Sequence, residues 1–410
     1  MVTESRSAPA ANDTARGSRR SRSERWRPAR FAVSLRTASR RAISREAGSR
    51  RAAIGARALL AGLALLALLP LSGCGTLYVL QAAHGEAQVL VNRRPIPQVI
   101  ANPRTSPPVR KRLEEVQRIR DFATNALGLP ANASYRTYSD IHRPFVVWNV
   151  VAAPEFSVEP VRWCFPIAGC VDYRGYFSER SARRFAARMR ARGFDVTVGG
   201  VPAYSTLGRF ADPVLSSMLG YGDIELAGII FHELAHQLLY VPGDSSFNEA
   251  FATTVEQEGV RRWLLVEGRK VDLERYEAAI ARDLDYVRLF RRYRSQLRKL
   301  YSSRLPRPEM LERKRATFAA LAADMRALER ETRAPSPYQD WLDEGLDNAD
   351  LASVGTYYDC MPGFQRLLAK DGGDLERFYA DVRALAREPA PRRDAAVCTS
   401  VSARSPRGSD

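Results

Sequence analysis

The spacing of apolar residues divides the chain into helix-like and strand-like segments. Apolar residues recur every three or four positions in residues 109–127, and this period predicts a helix that ends before Gly128. Because the segments that follow are joined by short connections, they predict an α+β fold with a mixed or antiparallel sheet beside helices. The strand-like runs are 134–138, 144–152, 161–165, 173–177 and 195–198, with a helix predicted at 179–192.

The second half of the chain has the pattern of an almost wholly helical region. Residues 272–303 and 308–332 are long and charged, and each carries one apolar stripe. A proline-rich turn joins them, so the pattern predicts a long antiparallel helical hairpin. Shorter helices are predicted at 363–369 and 374–387. Residues 388–410 are rich in Pro, Arg and Ser, and we expect a disordered tail there.

The first 74 residues have a composition of their own. Residues 1–57 are rich in Arg, Ser and Ala, which predicts a disordered Arg-rich leader. Residues 58–71 are uncharged and Leu/Ala-rich, and their length suits the core of a signal peptide better than a membrane span. They run into Leu-Ser-Gly-Cys, which resembles the lipobox of bacterial lipoproteins. We therefore interpret residues 58–74 as signal core and lipobox, with Cys74 as the lipidated residue.

The lipobox resemblance implies a location for the mature protein. The residue after Cys74 is Gly75, not the Asp that retains lipoproteins at the inner membrane, which favours a lipid anchor in the outer membrane facing the periplasm. Acyl chains stabilise such an anchor without a spanning helix. Residues 75–108 are then predicted to be a membrane-proximal helix and a linker. The alternative is an ordinary signal peptide that happens to contain a cysteine.

The net charge of +17 is concentrated in the leader. Residues 1–73 contribute +11 of it, so about +6 belongs to the rest of the chain. A nucleic-acid-binding domain would carry its basic residues in the folded part. The charge distribution therefore predicts no nucleic-acid partner.

Residues 232–236 read His-Glu-Leu-Ala-His within a predicted helix. Residues four apart share one face of a helix, so His232 and His236 can bind one metal ion, and Glu233 lies beside them. Zinc held by three protein ligands keeps a fourth position for a water whose pKa it lowers towards 7. Glu233 is then placed to act as general base on that water. The alternative, two core histidines and a stray glutamate, requires a chance match of roughly a few in a thousand.

The third zinc ligand is expected from the next predicted helix. Glu249 lies at the head of that helix, which must fold back over the first one, and small neighbouring residues allow a close crossing. Asp244, in the intervening turn, and Glu256, seven residues further on, are the alternatives. Glu256 shares the face of Glu249 and is also placed to orient a ligand. The expected set is His232, His236 and Glu249, with an active-site helix pair around it.

Residues 203–213 and the four cysteines after Cys74 allow two further predictions. Residues 203–213 come just before the metal helix and are interpreted either as an edge strand for a peptide substrate or as an ordinary loop into a helix at 215–219. Four cysteines remain after Cys74, and an even set can pair in an oxidising periplasm. Proximity favours two disulfides, and the absence of a CxxC spacing weakens the alternative of a thiolate zinc site. The expected pairs are Cys164–Cys170 and Cys360–Cys398.

Several stretches together resemble a bacterial aminopeptidase family of lipoprotein zinc metallopeptidases. They include WCFP at 163–166, GCV at 169–171, HELAHQ at 232–237, NEAFAT at 248–253 and LASVGTYYDCMPGF at 351–364. The resemblance runs from the lipobox to about residue 385. It implies a zincin-like metallopeptidase domain at 109–387 with an HExxH…E motif. It also implies zinc on His232, His236 and Glu249, with Glu233 catalytic.

These features predict a membrane-anchored zinc aminopeptidase that hydrolyses peptides through a zinc-bound water. A second donor must stabilise the oxyanion of the tetrahedral intermediate, and a tyrosine suits this role. Tyr357, in the family-like segment, is our choice, with Tyr358, Tyr221 and Tyr240 as alternatives. An envelope endopeptidase with the same chemistry and a scaffold lipoprotein with a structural metal are the competing functions.

The lipid anchor is tested by Cys74→Ser. Because lipid attached to Cys74 would be the only anchor, we expect the variant to leave the membrane fraction for the soluble fraction, as measured by cell fractionation. A variant that stayed in the membrane fraction would contradict this interpretation of Cys74.

Overall fold

The computed structural model describes residues 74–165 and 169–398, and the described residues from Val79 onward belong to one compact unit. Helices and small sheets are mixed in it, and the strands all lie between residues 94 and 215 of the described chain. The elements of the first half are α1 (Cys74–Val91), β1 (Arg94–Pro95), α2 (Ile96–Ala101), α3 (Pro107–Asn125), β2 (Thr137–Ser139), β3 (Val147–Pro154), β4 (Trp163–Phe165), β5 (Gly169–Val171), β6 (Arg174–Tyr176), α4 (Glu179–Ala191), β7 (Phe194–Val201), β8 (Val214–Leu215) and a 3₁₀ turn (Ser216–Met218).

The second half of the described chain is helical throughout. Its helices follow one another with short connections, as the apolar periodicity predicts. They are α5 (Asp223–Leu238), α6 (Ser245–Val266), α7 (Lys270–Tyr301), α8 (Arg307–Thr332), α9 (Gln339–Glu344), α10 (Asn348–Tyr358), α11 (Met361–Lys370), α12 (Leu375–Ala386) and α13 (Ala390–Val397).

The larger antiparallel sheet has β3 as its central strand, between β6 and β7. β3 and β7 pair along their whole length, from Val147 opposite Val201 to Pro154 opposite Phe194. Helices α4 and α10 both pack against these two strands. Burial along β3 is therefore nearly continuous instead of alternating, as expected for a strand that helices cover on both faces.

The main core is built around the helix pair α5 and α6. Small residues along both helices let their axes approach closely. At Gly259 the packing leaves no room for a side chain, because a β-carbon there would lie 2.8 Å from the side chains of Leu127 and Phe231. Each fully buried side chain of this size contributes about 1.5–3 kcal/mol to stability. The apolar residues of the two helices that are completely buried are Leu226, Ala227, Ile230, Phe231, Leu234, Ala235, Ala250, Phe251, Ala252, Val255, Val260 and Leu264.

The helical hairpin forms a second core. α7 and α8 pack against each other along aromatic and aliphatic stripes, and the stripes also contact α10 through Leu351 and Val354. The structure therefore places the predicted hairpin beside the main core instead of extending it into solvent. The buried residues of the two stripes are Tyr286, Phe290, Tyr293, Leu297, Phe318, Leu321 and Met325.

The boundaries predicted for the domain were too narrow at its start. Residues 75–108 are predicted to be a membrane-proximal helix and a linker outside the domain, but within them β1 pairs with β2, and β2 pairs in parallel with β8. Ile96 in α2 is only 1% exposed, and Val89 in α1 is also buried. The segment is therefore part of the fold, because Val89 and Ile96 belong to the main core.

The prediction of disorder from residue 388 was also wrong for the residues that the structure describes there. Residues 390–397 form α13, in which Val397 is 2% exposed. Cys398 bonds to Cys360, and Cys164 bonds to Cys170. Composition alone predicted disorder, because a disulfide and a few long-range contacts leave little trace in an Arg- and Pro-rich segment.

The anchor cannot be placed by this structure. Among the described residues, none of the helices has the length and apolar character needed to cross a bilayer. The leader at 1–57, the signal core at 58–71 and residues 399–410 lie outside the described residues, as does the side chain of Cys74.

A buried acidic network joins α10 to the sheet. Asp347 caps α10 and accepts a hydrogen bond from the amide of Val196, and Asp350 accepts one from the amide of Asp347. Lys314 of α8 pairs with Asp195 of β7 at 2.6 Å. Burial, aided by the charge of Asp347, raises the pKa of Asp350 to about 8, and burial raises the pKa of Asp347 as well.

This network makes stability depend on pH. The folded pKa of Asp350 lies above its unfolded value of about 3.8, so the folded state binds the proton more tightly. Its contribution is favourable below about pH 4 and is lost as the pH rises towards 8. We expect the Tm of the wild type to decrease when the pH is raised from 5 to 8. In Asp350→Asn the decrease should be smaller, because Asn keeps the hydrogen-bond acceptor and cannot become charged. Equal pH slopes in both proteins, measured by calorimetry, would contradict this.

Candidate metal centre

Two consecutive helices supply the side chains of the site. α5 starts after Gly222 with two acids in its first turn, which suit the positive end of a helix dipole, and it ends at Leu238 after the HELAH motif. His232 and His236 lie one turn apart on α5, and Glu249 lies in the second turn of α6. Both helices are anchored in the main core, so the three side chains project from rigid elements.

The donor atoms of these three residues converge on one point. His232 Nε2 lies 3.1 Å from His236 Nε2 and 3.3 Å from Glu249 Oε2, and the distance from His236 Nε2 to Glu249 Oε2 is 3.6 Å. Donors bound tetrahedrally at about 2.0–2.1 Å from a zinc ion lie about 3.3 Å from one another. The three atoms therefore have the spacing of one face of a metal-centred tetrahedron, and the residues fit a divalent ion.

The alternative third ligands have other partners. Asp244 caps α6 by accepting from the amide of Phe247, and it pairs with Arg393. Glu256 Oε2 lies 3.0 Å from the other ring nitrogen of His232. Among the described residues, His232, His236 and Glu249 are the group whose donor atoms lie close enough together to hold a metal ion.

The protein groups alone form a strongly coupled charge cluster. Burial would raise the pKa of Glu249, but the two histidines overcome this and hold it well below its usual value. Burial would lower the pKa of His232, but its contacts with Glu249 and Glu256 raise it well above its usual value. A divalent cation can replace the proton in this cluster, since metal binding needs neutral imidazole and ionised carboxylate.

Glu256 reaches His232 across the space that Gly228 leaves on the surface of α5. Its side chain passes over Gly228, where a β-carbon would lie 3.1 Å from Glu256 Oε1. The glycine, one turn before His232, leaves the carboxylate room to reach Nδ1 of the imidazole. A carboxylate on the outer nitrogen fixes the tautomer and ring orientation of a ligating histidine. His236 differs, because its Nδ1 is buried with no hydrogen-bond partner among the described residues.

Glu233 faces a different environment from the three ligands. Its carboxylate makes no hydrogen bond or ion pair with the described residues, although the side chain is largely buried. Burial is the main reason that its pKa is raised; the charges of His232 and His236 oppose the shift, and those of Glu249 and Asp212 add to it. A carboxylate without donors and with a raised pKa is suited to accept and release a proton.

The turn between α5 and α6 is braced internally. The side chain of Asn248 accepts from the amide of Val241 and donates to its carbonyl, both at 2.8 Å. Asp244 caps the start of α6. These contacts hold the first turn of α6 against the end of α5, and so they determine where Glu249 points.

Residues 203–213 form a loop, and the edge-strand interpretation was wrong. The carboxylate of Asp212 accepts from the amide and hydroxyl of Thr206, and the Thr206 hydroxyl accepts from the amide of Phe210. The amides of Thr206 and Phe210 are thus bonded within the loop, and the segment has no strand pairing. Asp212 also accepts from Gln237, one turn after Glu233, which holds the loop against the active-site helix.

The predicted oxyanion donor cannot be placed, because the side chain of Tyr357 lies outside the described residues. The hydroxyl of Tyr358 donates to Asp283. Tyr240 is near the metal ligands, with its ring centroid 6.4 Å from that of His236. Tyr240 is therefore a tyrosine that the structure places beside His236.

Sequence reasoning missed the buried residues behind Glu233. Tyr135 is 1% exposed with φ at 61°, and its hydroxyl has no hydrogen-bond partner among the described residues. Burial raises the pKa of Tyr135, and the negative charges of Glu233 and Asp212 raise it further. Gln237 could have been noticed because it directly follows HELAH, whereas nothing in the sequence pattern distinguishes Tyr135.

Comparison with known proteins identifies the family of this chain. A family model described as "Putative aminopeptidase" matches residues 77–397, more than three quarters of the chain, and the metal centre lies inside that match. The chain belongs to this family. Searches among curated proteins and among solved structures each found no match. Family membership thus indicates a peptidase of the aminopeptidase type, and the geometry above adds the arrangement of its residues.

Glu256 provides a test of the centre that does not need a substrate. We expect Glu256→Gln to bind a divalent metal ion such as Zn²⁺ about 10- to 100-fold more weakly, because the partner of His232 loses its charge. Affinity can be measured by competition with a chromophoric chelator. Glu258→Gln is the matched control, since that carboxylate pairs with Arg261 and Arg262 instead. Equal affinities in the two variants would contradict the role of Glu256.

Proposed function

We propose that this member of the aminopeptidase family is a zinc-dependent peptidase that hydrolyses the amino-terminal peptide bond of its substrates. The observation that supports it most directly is the convergence of two imidazole nitrogens and one carboxylate oxygen within 3.1–3.6 Å, beside the carboxylate of Glu233, which has no hydrogen-bond donor among the described residues. Family membership supports the peptidase class. Zinc is proposed because a set of two histidines and one glutamate with an open position is typical of catalytic zinc.

His232, His236 and Glu249 would hold the zinc, and Glu256 would keep His232 in its ligating orientation. When bound, zinc supplies Lewis acidity, which polarises a carbonyl and makes water more acidic. The short turn between the helices and the small residues at their crossing hold the ligands in place before metal arrives. The protein therefore has little structure to form on binding, which favours affinity.

Glu233 would move the proton. It accepts a proton from the attacking water and later delivers it to the nitrogen of the leaving amine. Burial raises the pKa of Glu233 in spite of the opposing charges of His232 and His236, so the carboxylate binds that proton more tightly than an exposed glutamate does. Tyr357 keeps its proposed role as donor to the oxyanion, and Tyr240 is the second proposed donor because of its place beside His236.

The proposed location is the cell envelope, with a lipid on Cys74 as the anchor. The two disulfides of the described chain support an oxidising compartment. A lipid-anchored peptidase facing the periplasm would meet short peptides with free amino termini. Those peptides are the proposed substrates.

The function is tested with the full chain and Glu233→Gln. We expect kcat to fall about 10²- to 10⁴-fold with zinc still bound, because the amide cannot accept a proton. Activity is measured on a peptide with a free amino terminus, and zinc content by metal analysis. Glu225→Gln, on the exposed side of the same helix, is the control and should stay near wild type. A Glu233→Gln protein with bound zinc and full activity would refute the proposal.

The substrate class is tested by blocking the amino terminus. An aminopeptidase must bind the free α-ammonium group, so we expect the wild type to cleave a free peptide and to leave its N-acetylated form intact. Equal cleavage of both peptides would instead identify an endopeptidase with the same metal chemistry.

A further inference from the structure

The turn that joins the two metal-binding helices is held from outside by two distant parts of the chain. We define the interhelical turn as residues 239–244, between the end of α5 and the start of α6. One outside contact comes from α13 at the carboxyl end of the described chain, and the other from the β4–β5 hairpin. A disulfide closes each of these two segments.

The contact from α13 is an ion pair with good geometry. Arg393 donates from Nε and Nη2 to Asp244 Oδ2 at 3.0 and 2.7 Å. Both side chains are almost fully buried, and the guanidinium lies over the ring of Phe247, 5.7 Å from its centroid. A buried arginine–carboxylate pair of this kind is strongly destabilising to break, because one charge is left buried without its partner.

Asp244 is also the residue that starts α6. Its other carboxylate oxygen accepts from the amide of Phe247, which makes it the helix cap. Glu249 follows five residues later, about 7.5 Å along the helix. A change in how α6 begins therefore moves the ligand, and ligating groups must be held within about 0.5 Å of their working positions.

α13 itself depends on its disulfide. It has eight residues, and helices shorter than about 12 residues are marginal in water without tertiary contacts. The bond from Cys398 to Cys360 ties its end to α11. The backbone of Val397 packs directly on Gly363, where a β-carbon would collide with it. Without the disulfide, these remaining contacts must hold a short terminal segment.

The hairpin holds the opposite side of the turn more loosely. Arg162 Nη2 donates to the carbonyl of Gly243 at 2.7 Å and to that of Cys170 at 2.9 Å. Gly169 packs against the backbone of Gly243, with a left-handed φ of 73° that favours glycine. The side chain of Arg162 is 48% exposed, so this contact contributes less than the buried pair on the other side.

We propose that Arg393 is a positioning residue for the metal centre, and that the Cys360–Cys398 disulfide makes its action dependent on an oxidising environment. Arg393 fixes Asp244, Asp244 fixes the first turn of α6, and that turn places Glu249 against the two histidines. Reduction of the disulfide releases α13 and with it the arginine. The site then binds its metal weakly until the two thiols form the disulfide by exchange with an oxidised disulfide compound, which takes up their two electrons and two protons, so the peptidase matures after export. This inference rests on the proposed function.

The positioning role is tested in the full chain with Arg393→Gln and a matched control, Arg392→Gln. Arg392 is the next residue on α13, is largely exposed and pairs with Glu388. We expect Arg393→Gln to bind Zn²⁺ about tenfold more weakly than the control, the lower end of the effect of losing an outer partner of a ligand. Arg393→Lys, which keeps the charge, should recover part of the loss. Equal zinc affinity in the Gln variants would overturn the proposal.

Hydrogen exchange separates this inference from the proposed function. In the protein stripped of metal, the amides of Phe247 to Phe251 should exchange faster in Arg393→Gln than in Arg392→Gln, because the start of α6 opens more often. Unchanged exchange would overturn the positioning role whatever the zinc data show. If the wild type bound no divalent metal, the proposed function would fail. The predicted effect of Arg393 on metal affinity would fail too, whereas its effect on the start of α6 would still be decided by the exchange rates.

The redox dependence is tested by removing the disulfide. The double variant Cys360→Ser/Cys398→Ser should weaken zinc binding and speed the same amides by about as much as Arg393→Gln. Combining all three substitutions should add little, because they act through one contact. Additive losses would show that the disulfide acts by another route and would overturn the proposed order of events. A melting curve of each variant confirms that it is folded at the temperature of the assay.

Discussion

The structure depends on bringing two imidazole nitrogens and a carboxylate oxygen within 3.6 Å of one another in a largely buried place. Groups of this kind lose their hydration there, and only a partner charge or a cation compensates for the loss. Two helices can present them only if their axes come close together. Gly228 on one helix and Gly259 on the other meet this requirement, because a β-carbon at either would press against a side chain of the opposite helix.

The side chains around the centre are of two kinds: those held by definite partners, and the carboxylate of Glu233, which has no hydrogen-bond partner among the described residues. Glu256, Asn248 and Asp244 each have definite partners, and each limits the movement of one ligand. Glu233 has none among the described residues, and its pKa is raised mainly by burial. The same low-polarity site therefore stabilises the ligand set through hydrogen bonds and leaves one carboxylate free to exchange a proton. This separation is what a metal-assisted hydrolysis needs from the protein.

At residues 203–213 the structure differs from the edge strand that the sequence pattern allows. The segment's mixture of apolar and small polar residues is compatible with an edge strand, and its position before α5 made that interpretation attractive. In the folded protein the short side chains of Thr206 and Asp212 bind the loop's own amides. Ser, Thr and Asp compete with backbone pairing in this way. Whether they do so depends on Gln237, which comes from another element and holds Asp212 in place.

The sequence by itself determined the elements with a regular period and the chemistry of residues close together in the chain. The spacing of His232 and His236, the helical hairpin and the order of strands before α5 all follow from local geometry. Only the tertiary structure decided which distant groups meet. The pairing of Arg393 with Asp244 spans 149 residues, and Tyr135, which lies just before β2, feels the charge of Glu233 from nearly 100 positions away in the chain. Such contacts depend on how whole helices pack. The order of apolar and polar residues along the chain does not state which distant residues are close together in space.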